Sequence, residues 1–341
     1  MRIRLIECAG PGRARGRAHG EAAAEAIERA LLRWTDERLD AFLEATDFLP
    51  AIERHTPDLL EELHGIAEGS GASLERILAL NAMDEEWWFE QDRKAESRAA
   101  CSTFAVAARD GRPALIGQTM DLPEVMDGSQ IVLHVKPDDG PEQLVLSSAG
   151  MIGLCGGNGA GLGVCVNALS MLRHAPDGLP VACITRGLLA QPSLGHARQF
   201  VLDVPHSSGQ DYVLGSADGV EGYECSAGAV TRFEAEGEAL CHTNHPLRTA
   251  DIDPDAPTCE AHRTSSRRRL EALVSGVDGV RDLADCQRLL ADRSAPISYD
   301  SSEKDPWFTF GAVAFALDSP VQARISAGPP HRNDWDAFEL M

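Results

Sequence analysis

The sequence predicts an α+β protein, and two observations carry that reading. The first hundred of its 341 residues show helical periodicity, and the remainder shows a period of two, broken by pairs of helices. Hydrophobic residues make up 43% and charged residues 25%, the balance of a globular chain long enough for one large domain or two ordinary ones.

In the first part, Glu21–Leu49 reads as a long helix with Ile27, Leu31, Trp34, Leu39, Phe42 and Leu43 on its apolar face. Thr56-Pro57 opens a second helix that runs to Gly69, a cap followed by proline in the first turn. Ser73 opens a third, carrying Leu74, Ile77, Leu78, Leu80 and Met83 toward Trp87 and Trp88. Gln91–Arg98 is polar with no apolar face and reads as an exposed linker.

From Cys101 the period falls to two. Cys101–Ala108 and Ala114–Thr119 form a hairpin about Asp110-Gly111. Strands follow at Gln130–Lys136, Gln143–Ser148, Gly163–Asn167, Tyr212–Ser216 and Ala239–Thr243, with a last pair at Phe308–Leu317 and Gln322–Ser326. Helices are expected at Val181–Leu189, Leu194–Leu202, Ala261–Val274 and Val280–Ala291. Adjacent strands broken by helix pairs imply antiparallel sheets covered by helices.

A net charge of −22 repels phosphate backbones and anionic lipid, so no nucleic-acid or membrane partner is expected without a local basic patch. The dense candidate, Arg267, Arg268 and Arg269 with Arg263 nearby, falls in an expected helix and reads as a solvated face. Met1–Gly10 lacks a signal-peptide core, and no apolar run is long enough to span a bilayer. Nine scattered cysteines, an odd number, then predict reduced thiols and a cytoplasmic protein.

The glycine run Gly156–Gly163 fits neither a dinucleotide fingerprint nor a phosphate-binding loop, since a strand-like segment follows it and no Lys-Ser/Thr pair closes it. It reads as a tight turn with close backbone approach. Cys241, His245, Cys259 and His262, with His242 between, have spacings that could furnish zinc ligands, but the strand-to-loop context gives no knuckle, and no metal is assigned.

Ala99-Ala100-Cys101-Ser102-Thr103-Phe104 is the informative junction. A cysteine at a strand start is ordinarily a small buried hydrophobe. This one stands where a charged linker meets the first strand, after small residues whose carbonyls are open to attack. The returning strand brings Gln118 and Asp121 beside it. The residues alone leave open an uncut thiol hydrolase with a histidine base, and a zinc-bound or non-catalytic binding protein.

ACSTF, Gly117–Glu124 (GQTMDLPE), Gly161–Ser170 (GLGVCVNALS), His242–Leu247 (HTNHPL) and Ser326–Pro330 (SAGPP) follow in an order that resembles the acyl-coenzyme A:6-aminopenicillanic acid acyltransferase-like family. These are self-processing cysteine N-terminal nucleophile hydrolases, and the resemblance spans nearly the whole chain. It implies an αββα sandwich of two antiparallel sheets, and autoproteolysis at Ala100–Cys101. Residues 1–100 would then be a helical pro-segment that stays bound as a partner, and 101–341 the catalytic domain. Cys101 would be the nucleophile, Asp121 the residue that holds its amine and thiol, and Asn244 the oxyanion donor. Asn167 would line the same site, and Gln118 would be a supporting residue. No cofactor is implied, and the substrate would be a small N-acyl amide or related acyl compound, with hydrolysis favoured over transfer. One departure stands out: Ile297-Ser298-Tyr299-Asp300 occupies the segment where family members often carry an arginine, so Tyr299 brings a hydroxyl but no fixed charge. The sequence leaves the acyl group, the leaving amine and the oligomeric state open.

Overall fold

A computed structural model describes residues 2–89, 100–235, 237–256, 260–303 and 305–341. The expected linker Gln91–Arg98 and Cys259 lie outside the described residues, as does the side chain of His262.

The first element is a strand, β1 (Arg4–Ala9), absent from the helical expectation for this segment. Six helices follow: α1 (Gly12–Leu31), α2 (Asp36–Ala45), α3 (Leu49–His55), α4 (Pro57–Ser70), α5 (Leu74–Asn81) and α6 (Met83–Phe89). The single helix expected over Glu21–Leu49 is thus interrupted. Thr35 caps α2 by accepting the Arg38 N–H at 3.3 Å, and the chain bends around the buried Trp34. Helices α1 and α4 meet through facing glycines, Gly12, Gly16 and Gly20 against Gly65 and Gly69. A Cβ on Gly16 would lie 1.9 Å from the Glu62 carbonyl oxygen, so only glycine lets the two backbones touch here.

Past Cys101 the strands are β2 (Ser102–Val106), β3 (Leu115–Pro123), β4 (Gln130–Lys136), β5 (Gln143–Ser148), β6 (Cys155–Asn158) and β7 (Gly163–Ala168). Helices α7 (Val181–Leu189) and α8 (Leu194–Asp203) lead to β8 (Gln210–Ser216), β9 (Gly219–Cys225), β10 (Val230–Glu234) and β11 (Ala239–His242). Helices α9 (Glu260–Val277) and α10 (Leu283–Leu290) precede β12 (Trp307–Ala316), β13 (Val321–Ala327) and β14 (Asp336–Leu340).

Eight strands form one sheet in the order β1-β4-β5-β6-β7-β8-β9-β10, and six form the other as β11-β2-β3-β12-β13-β14. The two face each other, with α7 and α8 on the larger sheet and α9 and α10 on the smaller, which is the αββα arrangement. The larger sheet departs from pure antiparallel pairing at one edge, where β1 runs parallel to β4 with Ile6 opposite Leu133. The expected glycine turn joins β6 to β7, with Gly157 paired to Gly163 and packed so closely that a Cβ on it would meet the Phe315 ring at 2.8 Å. The eight described cysteines are all unpaired, and no described helix is long and apolar enough to cross a membrane.

Candidate active site

Cys101 sits one residue before β2, the strand next to the β11 edge of the smaller sheet. Its neighbours pair as Ser102 with Thr119 and Thr103 with Gln118 across β2 and β3. On the other side of β3, the pairing with β12 slips at Phe310, so that Thr309 stands opposite Asp121 and Gly311 opposite Met120. Such a bulge re-aims side chains locally, and here it lies beside the candidate nucleophile.

Burial, then the adjacent Asp121 carboxylate, push the Cys101 thiol up to about 12, while the Asp121 N–H directed at the sulfur and Arg269 work the other way. In the intact chain the thiol is therefore protonated at neutral pH. Burial also pushes Asp121 up to about 8, opposed by the Arg269 charge and the Thr309 hydroxyl. A carboxylate poised there can take a proton near neutral pH.

Arg269 is fully buried and reaches the site from α9. One terminal nitrogen donates to the Cys101 carbonyl and, at 3.1 Å, to Ser102 Oγ; the other donates to Asn244 Oδ1 at 3.0 Å. Three residues earlier on the same helix face, Ser266 Oγ accepts the Asn244 N–H at 2.9 Å. Asn244 Nδ2 donates one hydrogen to the Ala168 carbonyl at 3.1 Å, which leaves its second hydrogen for another acceptor.

The loop that carries Asn244 is clamped from below. His242 is fully buried, with Nε2 at 2.9 Å from Glu224 Oε1 and Nδ1 at 2.7 Å from the Thr243 carbonyl and 3.3 Å from Asp211 Oδ2. Burial works against its charge, yet Asp211 and Glu224 together hold it above the usual histidine range. Glu224 in turn accepts the N–H groups of Leu247, Arg248 and Thr249. Both ring nitrogens of His242 are engaged in this clamp. Cys241 packs on the apolar cluster of Phe104 and Leu273 beneath α9, while His245 Nδ1 meets Ser266 Oγ at 2.7 Å. The Cys241 and His245 of the possible zinc set therefore face different partners.

Of the residues expected from sequence, Cys101 and Asp121 line one small cavity, and Asn244 joins the Cys101 backbone through Arg269. Asn167 is buried on β7, and both ends of its amide lack a partner among the described residues. Its strand neighbours Val166 and Ala168 line that cavity, while Asn167 stands opposite Asp211 of β8. Gln118 is held elsewhere: its amide donates to the Val166 carbonyl and accepts the Val166 N–H at 3.0 Å, stitching the two sheets together. Tyr299 lies within electrostatic range of Asp121, Arg269 and Cys101, and burial raises its hydroxyl well above the usual range.

A positive charge does stand beside Tyr299, and it is that of Arg269 from α9. The basic run expected to be a solvated face is split: Arg267 and Arg268 are exposed, while Arg269 points inward. The second unforeseen group is Asp84 on α6, which lines the Cys101 cavity with Trp87. The cavity holds only about 30 Å³, room for a single water molecule.

A family model described as acyl-coenzyme A:6-aminopenicillanic acid acyl-transferase matches residues 106–324. A protein of Emericella nidulans, the 40 kDa form of acyl-coenzyme A:6-aminopenicillanic-acid-acyltransferase, is 27% identical over 233 residues, or 68% of this chain. That match spans 64% of the relative's own length. Among solved structures, a mutant conjugated bile acid hydrolase from Clostridium perfringens aligns with 70% of this chain and 92% of its own, at 13% identity and a TM-score of 0.46. Penicillin V acylase from Agrobacterium tumefaciens aligns with 70% of this chain and 85% of its own, at 13% identity and a TM-score of 0.43.

Proposed function

Starting from the chain's membership of the acyl-coenzyme A:6-aminopenicillanic acid acyl-transferase family, we propose that it cuts itself at Ala100–Cys101 and then hydrolyses small N-acyl amides through an acyl-enzyme on Cys101. The observation that carries this reading is the single buried cluster in which Cys101, Asp121, Arg269 and Asn244 meet.

In the cut, the Cys101 sulfur adds to the Ala100 carbonyl carbon while Asp121 takes the thiol proton. The Cys101 nitrogen takes up a proton and leaves, which gives a thioester between Ala100 and the sulfur. Water then cleaves the thioester, leaving a carboxylate on Ala100 and both a free thiol and a free α-amine on Cys101. That amine has an ordinary pKa of about 7.7–8.0, so it can accept its own thiol's proton near neutral pH without a histidine.

In turnover, the thiolate adds to the substrate carbonyl and the oxyanion accepts the second Asn244 Nδ2 hydrogen. Arg269 holds the other end of that amide, so the donor is oriented before charge develops. Asp121 steadies the ammonium formed on Cys101. The leaving amine takes the proton from that ammonium, and water then releases the acyl group.

The test is intact mass together with turnover. Wild-type protein kept under native conditions should give pieces of roughly 11 and 26 kDa, which follow from the position of Cys101 in a 36.6 kDa chain. Cys101→Ala should remain one species and turn over no amide. Normal hydrolysis by Cys101→Ala, or an active full-length wild-type chain, would sink the reading.

A further inference from the structure

The buried charges of His242, Asp211 and Glu224 take no part in the chemistry above, yet they surround the root of the loop that carries Asn244. His242 ends β11 at the edge of the smaller sheet, while Asp211 on β8 and Glu224 on β9 belong to the larger one. All three are closed to solvent. The ring therefore joins the two sheets at the point where the chain leaves β11 for Asn244.

The hydrogen-bond partners fix the charge on that ring. Among the described residues, the polar neighbours of both ring nitrogens are acceptors. Nδ1 lies 2.7 Å from the Thr243 carbonyl oxygen, which has no hydrogen to give, so Nδ1 carries one. Nε2 lies 2.9 Å from Glu224 Oε1. Glu224 also accepts the N–H groups of Leu247, Arg248 and Thr249, so it is surrounded by donors and stands there as a carboxylate. Nε2 then carries a hydrogen as well, and the ring is an imidazolium. Asp211 Oδ2, 3.3 Å from Nδ1, adds a second negative neighbour, and His245 of the same loop lies within electrostatic range. Burial opposes the charge on the ring, but Asp211 and Glu224 outweigh it and hold the proton above the usual histidine range.

We propose that His242 is a positioning residue: its imidazolium and the Glu224 carboxylate tie the two ends of the Asn244 loop together and fix the oxyanion donor against the larger sheet. The inference rests on the amide-hydrolase reading above. The ring reaches Glu224 from the residue that opens the loop, and the Leu247, Arg248 and Thr249 N–H groups reach the same carboxylate from its far end. Asn244 lies between them, with its Nδ2 on the Ala168 carbonyl of the larger sheet. Ser266 and Arg269 hold it from α9 on the other side. A donor gripped in this way is oriented before charge develops on the substrate oxygen. A ring with both nitrogens already protonated cannot also take the thiol proton, so His242 is no base for Cys101.

Two measurements on the full chain test this. The first is NMR of protein carrying nitrogen-15 histidine, with the His242 signals identified as those absent in His242→Gln and displaced in Glu224→Asp. At about pH 8, where an ordinary histidine is neutral, both ring nitrogens of His242 should still carry hydrogen. The second is turnover of an N-acyl p-nitroanilide by His242→Gln and Glu224→Gln, compared as cut protein by intact mass, with active sites counted by stoichiometric alkylation of Cys101. Both should lose about 10- to 100-fold in kcat per active site, with KM changed by less than about twofold. Glu224→Asp keeps the charge on a shorter arm and should show the same kcat loss in smaller measure; it replaces the other two if they do not fold. A His242 ring with a bare nitrogen at neutral pH overturns the proposal and leaves the hydrolase reading standing. Wild-type kcat per active site in the variants, or a loss carried by KM, makes the group purely structural or places it at substrate binding, and overturns it as well. If the wild type shows no Cys101-dependent cleavage, the hydrolase reading falls and the positioning role with it.

Discussion

Replacing Arg269 with Met keeps a flexible, unbranched apolar stem and removes every donor it carries. Three acceptors lose a partner at once: the Cys101 carbonyl, Ser102 Oγ and Asn244 Oδ1. Removing one member of a buried charged set costs about 3–5 kcal/mol, because the groups left behind stay out of water. At about 1.4 °C per kcal/mol for a chain of this size, the melting temperature should fall by about 4–7 °C. Asn244 keeps its bond to Ala168 but loses the anchor on its oxygen. Complete loss of an oxyanion donor costs about 10²–10³ in rate, so a donor that is present but loosely held should cost about 10- to 100-fold, in kcat more than in KM. Calorimetry, an intact-mass time course of cutting, and kcat on any cleaved amide give the three readouts. Arg269→Lys should separate charge from geometry, since one ammonium cannot fork between Asn244 and the Cys101 carbonyl. It should still cut, more slowly, and turn over poorly. A Met variant that melts and turns over like wild type would refute the assignment of Arg269 as the anchor of the oxyanion donor.

Gly16→Ala should destabilise by about 3 kcal/mol or more, at the top of the overpacking range, because the new Cβ meets a backbone oxygen that cannot rotate away; urea midpoints at constant slope check this. Stability should fall as pH rises from about 6.5 to about 8. Burial raises Asp121 to about 8 and Asp84 and Asp211 to about 7, so the folded chain holds protons there that the unfolded chain has released. Below about 6.5 the buried His19 and His206 and the half-buried His245, pushed down to about 4, act in the opposite sense and offset the carboxyls. A urea midpoint that rises between pH 6.5 and 8 would contradict that, and Asp121→Asn should flatten the slope. Glu62→Gln should let the N-terminal piece of cut protein separate at lower urea on a sizing column, by leaving Arg15 and Arg186 without their shared carboxylate.

Elements whose signal is local were legible in the sequence. Gln130–Lys136, Gln143–Ser148 and Val181–Leu189 form where their periodicity places them. What escaped was set by distant partners. β1 has only Ile6 and Cys8 facing inward and is held as a strand by β4, more than a hundred residues away. β9 carries Glu221 and Glu224, which read as solvent-facing until Arg198, Arg232 and His242 are placed against them. β6 is Cys-Gly-Gly-Asn, a poor strand by propensity that is packed on both sides. Arg269 did leave a trace. With Leu273 and Val277 it recurs at four-residue spacing along the buried stripe of α9, and an arginine on such a stripe needs a buried partner. Thr35, a cap residue inside the helix expected over Glu21–Leu49, was a second legible mark. The roles of Asn167 and Asn244 came from motif order alone, because no periodicity distinguishes a buried asparagine that serves chemistry from one that closes a turn.

The same long-range contacts bear on what a cut after Ala100 would do to the first hundred residues. Glu62 of α4 sits between Arg15 of α1 and Arg186 of α7, all three nearly inaccessible to solvent. Glu85 Oε1 accepts the N–H of Val181 at 2.9 Å, capping α7, and also the hydroxyls of Ser207 and Ser208. Asn81 grips both Gly150 and Ile152, and β1 completes the edge of the larger sheet. Hydrolysis of one peptide bond alters none of these contacts. In the proposed scheme the severed segment therefore remains part of the folded enzyme and its pocket wall.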